Sequence, residues 1–184
     1  SAGWAALEGV RQAGLRTRES GVPVFASSDE FGMSEKGYVV ASAADSVFTA
    51  PQSPFEYNGF ATIRSFFDGT FERLDAEPQL IRAGKYKSAG EPFIRKDLSE
   101  PNRRQVTALL ETVNARFMEA IAEARGRSVE ALDALAQEAA FLSAERAVEE
   151  GLLDGLRYAD EVRDRLPPGV GADQTDDLPQ VSSG

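Results

Sequence analysis

The residues best placed to do chemistry lie in one stretch, Gly84-Lys85-Tyr86-Lys87-Ser88-Ala89-Gly90-Glu91-Pro92-Phe93. Its weight comes from what the rest of the chain lacks, since the 184 residues contain neither histidine nor cysteine. A Ser-His-Asp triad, a cysteine nucleophile and the His/Cys sites that bind zinc are therefore excluded within the chain. A base that serves a serine must then be a lysine or a carboxylate, and Ser-Lys pairs are a known solution. A lysine at its reference pKa of about 10.4 is nearly all ammonium at neutral pH and has no lone pair to accept a proton. Burial against apolar groups disfavours the charged form, and bringing a lysine to about 7 asks for roughly 4.6 kcal/mol. Tyr86, Phe93 and Ile94 are apolar material for such a setting, and Ser88 could hold the amine by a hydrogen bond. The plain alternative makes Lys85 and Lys87 solvated loop cations beside Glu91.

Other chemistries find less support. No GxxxxGK[ST] and no GxGxxG after a strand is present, so nucleotide binding has no motif. Asp29-Glu30 with Glu35 could meet a cation, although surface acids of this kind are usually just solvated, and no metal site or cofactor is expected. With 30 acidic residues, paired carboxylates for glycoside chemistry can be drawn almost at will and carry no signal. Hydrophobic residues at 42% and charged residues at 27% describe a globular chain of one ordinary domain. The net charge of −10 argues against a nucleic-acid partner, which needs a concentrated basic face. No apolar run reaches the roughly 18 residues of a membrane span and no signal peptide opens the sequence, so an anchor would have to lie outside it.

The elements that must position the lysine stretch can be read in order. Residues 2–19 form a helix with Trp4, Leu7, Val10 and Leu15 near one face, ended by Gly21. Residues 22–26 read as a short buried strand, and helix then strand is half of a βαβ unit whose first strand would precede Ser1. Residues 37–44 are small and apolar, 46–50 are a second strand stopped by Pro51, and Asn58-Gly59 is a turn. Ile63, Phe66, Phe67, Phe71 and Leu74 recur at helical spacing, which predicts a core-packed helix over 61–75. Residues 79–82 read as a third strand that delivers the chain to the lysine stretch.

Beyond it, Ser99-Glu100-Pro101 is a strong helix start, and Val106, Leu109, Leu110, Val113, Phe117 and Ile121 mark one face as far as Gly126. Ser128 and Ser143 cap two shorter helices, Gly151 stops the second, and Leu152-Leu153-Asp154 turns back as an apolar patch. A last helix over 158–166 meets Pro167-Pro168-Gly169, and residues 167–184 read as a disordered acidic linker or tail.

Several of these segments together resemble signal peptide peptidase A, or protease IV, a family of membrane-anchored serine peptidases of bacteria. The likeness is clearest in Tyr86-Lys87-Ser88-Ala89 with Glu91-Pro92-Phe93 and continues through Asp97-Leu98-Ser99. Gly37-Tyr38 with Ala41-Ser42-Ala43-Ala44-Asp45, Pro51-Gln52, Asn58-Gly59-Phe60, and Ala147 with Gly151-Leu152-Leu153-Asp154 are similar too. The likeness runs from about Gly3 to Leu166. It implies an α/β fold of the Clp/crotonase type, a mainly parallel sheet flanked by helices with a helical C-terminal part.

The resemblance places the general-base role on Lys87. Short members of the family carry the serine in Met-Ala-Ala-Ser-Gly-Gly-Tyr. The corresponding segment here is Gly32-Met33-Ser34-Glu35-Lys36-Gly37-Tyr38, with Glu35 where that serine would stand, Ser34 one residue off and Lys36 in place of a glycine. Long members have two similar halves, the first giving the lysine and the second the serine. Residues 1–166 look like such a first half lacking its opening strands.

The function this implies is hydrolysis of signal peptides or other short extended peptides by a Ser-Lys dyad. The serine would come from another half or a neighbouring subunit of an oligomer, held at the inner membrane on its extracytoplasmic side. A non-catalytic assembly domain of a peptidase oligomer is the second expectation. A crotonase-like acyl-CoA enzyme ranks last, because it leaves the Tyr-Lys-Ser-Ala segment without a purpose.

Overall fold

The computed structural model describes residues 3–28, 31–81, 84, 87–138 and 142–165. Its elements in chain order are α1 (Trp4–Glu19), β1 (Phe25–Ser28), α2 (Glu35–Ala41), β2 (Ser46–Thr49), β3 (Pro54–Phe55), α3 (Asp68–Arg73) and α4 (Glu91–Ile94). There follow α5 (Glu100–Arg125), α6 (Val129–Glu138), β4 (Leu142–Ser143), α7 (Ala144–Glu149), β5 (Gly155–Leu156) and α8 (Ala159–Arg163). They divide into two compact units, one of Ser1–Gly59 with Arg116–Gly184 and one of Phe60–Ala115.

The first unit is a small parallel sheet flanked by helices. Strand order is β1-β2-β5, with Phe25 opposite Ser46, Ser28 opposite Thr49, and Thr49 opposite Leu156. Parallel neighbours need a crossover, which α2 supplies between β1 and β2. The expected first strand is present but lies about three residues later than 22–26. Pro23 has no N–H to give to a ladder, and Val24 instead pairs with Asp45, donating to its Oδ2 at 2.9 Å and accepting from its backbone N at 2.8 Å. The ladder therefore starts at Phe25.

A hydroxyl chain joins the ends of β1 and β2. Ser53 Oγ donates to Ala50 O at 2.7 Å, so its one proton is committed there. Thr49 Oγ1, 2.7 Å away, must then donate to Ser53, and Ser28 Oγ, at 2.5 Å, must donate to Thr49.

Tyr38, on α2, is the centre of the core. Its ring meets Phe55 edge-on at 5.0 Å and Phe117 at 6.5 Å, while Tyr57 lies over Phe55 at 6.1 Å. The Tyr38 hydroxyl donates to Leu152 O at 2.5 Å and accepts from Arg125 Nε at 3.2 Å. Arg125 in turn meets Asp154 Oδ2 at 2.9 Å, and the same oxygen accepts from Val47 N at 2.7 Å. Burial pushes the Tyr38 phenol up to about 12 against the opposing pull of the Arg125 charge. Gly-Leu-Leu-Asp is thus the turn that ties α5, α2 and β2 together, with Leu152 and Leu153 buried.

Beside this core, β3 pairs antiparallel with β4, and Met33 bridges to Phe55. Gly32 has φ +88°, and a Cβ there would stand 2.0 Å from Pro54 O. Gly32→Ala must both strain the backbone and push β3 aside. It is expected to cost about 3 kcal/mol, read as a lowered urea midpoint.

In α1 the expected face is only partly buried. Val10 is 42% exposed, whereas Arg11 is buried, with Nε on Ser42 Oγ at 3.2 Å and Nη2 on Glu123 at 2.8 Å. An arginine stem packs like an apolar chain while its head is satisfied by Ser42, just past the end of α2, and by Glu123 of α5.

The second unit differs most from expectation. Residues 61–67 are not helical, and α3 is confined to Asp68–Arg73. Phe67 N donates to Pro92 O at 2.7 Å, and the Phe67 and Phe71 rings meet Phe93 at 6.1 and 6.3 Å. Ile63 is 94% exposed and Leu74 68%, so the helical spacing did not mark a core stripe. Residues 79–81 form no strand, and Ile81 is fully exposed. Leu80 packs over Gly90, where a Cβ would come within 2.5 Å of Leu80 Cδ1. Leu109 on α5 is also exposed, at 63%.

Candidate functional site

Lys87 lies in the second unit, after a turn whose Gly84 has φ +94° and whose carbonyl accepts the Lys87 N–H at 3.3 Å. Arg82, Ala83, Lys85 and Tyr86 fall outside the described residues. The Lys87 side chain is exposed. Phe93, expected as apolar cover for a lysine, is turned toward Phe67 and Phe71 and is itself half exposed. The unit therefore presents the amine without enclosing it.

What holds the segment is Glu91. Ser88 O accepts from Glu91 N at 3.0 Å, closing a turn straight after Lys87. The Glu91 side chain is fully buried. Its Oε1 accepts from Ser99 Oγ at 2.5 Å, and its Oε2 accepts from Ser99 N at 3.2 Å and Asn102 Nδ2 at 2.9 Å. Burial alone would raise this carboxyl. The Ser99 and Asn102 hydrogen bonds, with the nearby Arg95 charge, outweigh it and hold the group below the ordinary carboxylate range. Ser99 Oγ also accepts from Asn102 N at 3.4 Å, so the residue expected to cap α5 does so while serving Glu91. In the sequence Glu91 stands beside two loop lysines and within the segment that carries the family resemblance, with no role of its own assigned to it. The signal available was an acid eight residues before a Ser-x-x-Asn helix start, which no local rule connects to it.

Ser34 and Glu35 belong to the first unit. Ser34 is the N-cap of α2, its Oγ accepting from Gly37 N at 3.2 Å. Glu35 is buried and its Oε1 accepts from Asn58 N at 3.2 Å, which fixes the Asn58-Gly59 turn. The oxygens here are occupied in building α2 and the turn. Asp29 and Glu30, weighed for a cation with Glu35, lie outside the described residues. Among the described residues no group of three or more His, Cys, Asp or Glu could hold a metal ion, and no helix is long and apolar enough to cross a membrane.

Residues 16–173 match the family model of peptidase family S49. The chain belongs to peptidase family S49. Among curated relatives of this S49 chain, Serine protease SPPA, chloroplastic, of Arabidopsis thaliana is 30% identical over 181 residues, covering 98% of this chain and 26% of that protein. Protease 4 of Salmonella typhi is 37% identical over 86 residues, 47% of this chain and 14% of that protein. Protease 4 of Haemophilus influenzae is 32% identical over 82 residues, 45% of this chain and 13% of its own length. The expected kinship with the signal peptide peptidase A (protease IV) family is borne out. This S49 chain spans about a quarter of the chloroplast relative.

Proposed function

We propose that this S49 chain supplies the general base, Lys87, to a serine peptidase that works through a Ser-Lys dyad. The observation that carries the reading is the pairing of an exposed lysine on a clamped segment with family membership in S49. The nucleophile would come from another half of the protein or from a neighbouring subunit, since Glu35 stands where a family serine would be. Lys87 as free amine takes the hydroxyl proton as the serine oxygen attacks the peptide carbonyl, then gives it to the leaving amine. In the second half-reaction it takes a proton from water, which attacks the acyl-serine, and returns the proton to the serine oxygen. The serine-bearing part would also complete the enclosure that this unit leaves open around the amine, and would bring the oxyanion donors.

The substrates are signal peptides or other short extended chains, handled by an oligomer associated with the inner membrane on its extracytoplasmic side. The Clp/crotonase type of fold is the architecture that suits this reading, and the parallel three-stranded sheet with its flanking helices is compatible with it. Substitution of Lys87 in the full-length protein is the decisive test. A companion expectation is that these 184 residues alone show no amide hydrolysis, and turnover of a peptide substrate by the isolated chain would refute the split dyad.

A second reading, a non-catalytic assembly domain, is favoured by the apolar side chains on the surface of the second unit, Ile63, Leu74 and Ile81 among them. It makes Lys87 a solvated cation whose replacement leaves the activity of the complete protein unchanged.

A further inference from the structure

We infer that Glu91 is a positioning residue for Lys87: its buried carboxylate fastens the lysine segment to the first turn of α5 and so sets where the amine meets its serine. The inference rests on the reading of Lys87 as base.

A buried ionised carboxylate is costly unless its oxygens are hydrogen-bonded. Here both oxygens are, through Ser99 Oγ, Ser99 N and Asn102 Nδ2. An apolar residue could fill the same space without that desolvation cost, but it could not fix the direction of the chain. Charge-assisted hydrogen bonds from two residues of one helix start do fix it. Leu80 also packs on the segment, seated over Gly90 at a distance that no Cβ would permit. From Glu91 the constraint passes back through the Glu91 N–Ser88 O bond at 3.0 Å to Lys87, whose own N–H is tied to Gly84 O. Two charges that follow Glu91 have partners of their own: Arg95 meets Asp97 at 3.1 Å and Lys96 meets Glu72 at 2.7 Å. A misplacement of about 1 Å at a reacting group can cost roughly 10²-fold in rate, so slack at Glu91 should be felt at the amine.

The test compares the full-length protein with Glu91→Gln, Ser99→Ala, Asn102→Ala and Lys87→Met, measuring peptide hydrolysis against pH alongside thermal melting. Gln keeps the shape of Glu but turns an amide N–H₂ toward donors. The expected result is a fall in kcat of about 10²-fold at neutral pH with KM changed by less than about twofold. The ascending limb of the rate should also move to higher pH, because an amine displaced from the enclosure that the serine-bearing part completes keeps more of its solvation and with it its proton. Ser99→Ala and Asn102→Ala each remove a donor and should shift the limb in the same direction by less, which keeps the test open should Glu91→Gln fold poorly. A loss of rate that is uniform across pH and tracks a lowered melting temperature would make Glu91 a structural residue only and overturn the inference. Full activity in Lys87→Met would instead overturn the reading beneath it, whatever the Glu91 variants do.

Discussion

Lys87→Met in the full-length protein is expected to lower kcat for peptide hydrolysis by about 10³-fold, within the range that a positioned general base contributes. Methionine keeps much of the length and apolar stem of lysine but offers nothing to accept a proton at neutral pH. The Lys87 side chain is exposed within its unit, so stability should shift by no more than about 0.5 kcal/mol. Loss of activity with melting temperature and assembly state intact would then report the chemistry alone. Residual turnover above the uncatalysed rate is compatible with the dyad, because oxyanion donors and substrate binding act without the base. Unchanged kcat would remove Lys87 from the mechanism and favour the assembly reading, with the apolar surface of residues such as Ile63 and Ile81 as its basis.

The second large effect is on stability. Tyr38→Ala should destabilise the chain by about 4 kcal/mol, since it empties a fully buried aromatic site. The ring lies against Phe55 and Phe117, so the cavity would open between α2, β3 and α5. Tyr38→Phe separates the hydroxyl from the ring. It leaves Leu152 O without its donor and Arg125 Nε without an acceptor, for an expected loss of about 1–2 kcal/mol. Urea midpoints of the two variants read the difference. An Ala variant within about 1 kcal/mol of wild type would mean that the core is not organised around this ring. Equal losses in Phe and Ala would place the whole contribution in the hydroxyl.

Much of the first unit could be read from local signals because each acts over a few residues. Gly21, Gly126 and Gly151 end helices with φ of +83°, +61° and +72°, values that penalise other residues. Ser128 and Ser143 cap the helices assigned to them, with bonds of 3.2 Å to Ala131 N and Arg146 N. The strand at 46–49 and the kinship with protease IV were legible for the same reason: both are carried by contiguous residues. The failures share a different cause. Arg11 is buried because partners more than thirty residues away satisfy its head, as its Ser42 contact shows. Helical spacing over 63–74 is a statement about one face, and it predicts burial only where another element covers that face. Residues 79–81 carry strand-like side chains but find no ladder, since Leu80 is used on Gly90. Glu91 was illegible because its meaning depends on Ser99 and Asn102 arriving from the next helix.

The Ser28–Thr49–Ser53 hydroxyls have a further consequence. A backbone carbonyl at the end of the chain can never give a proton back, so the order of donation cannot reverse without breaking the last link. Three rotors that would each be free to choose a direction are thereby reduced to one common polarity. Toward any other group at the end of β1, the Ser28 oxygen can only accept. A side chain that sequence codes as ambivalent has become, by inheritance from Ala50, a fixed pole of negative partial charge.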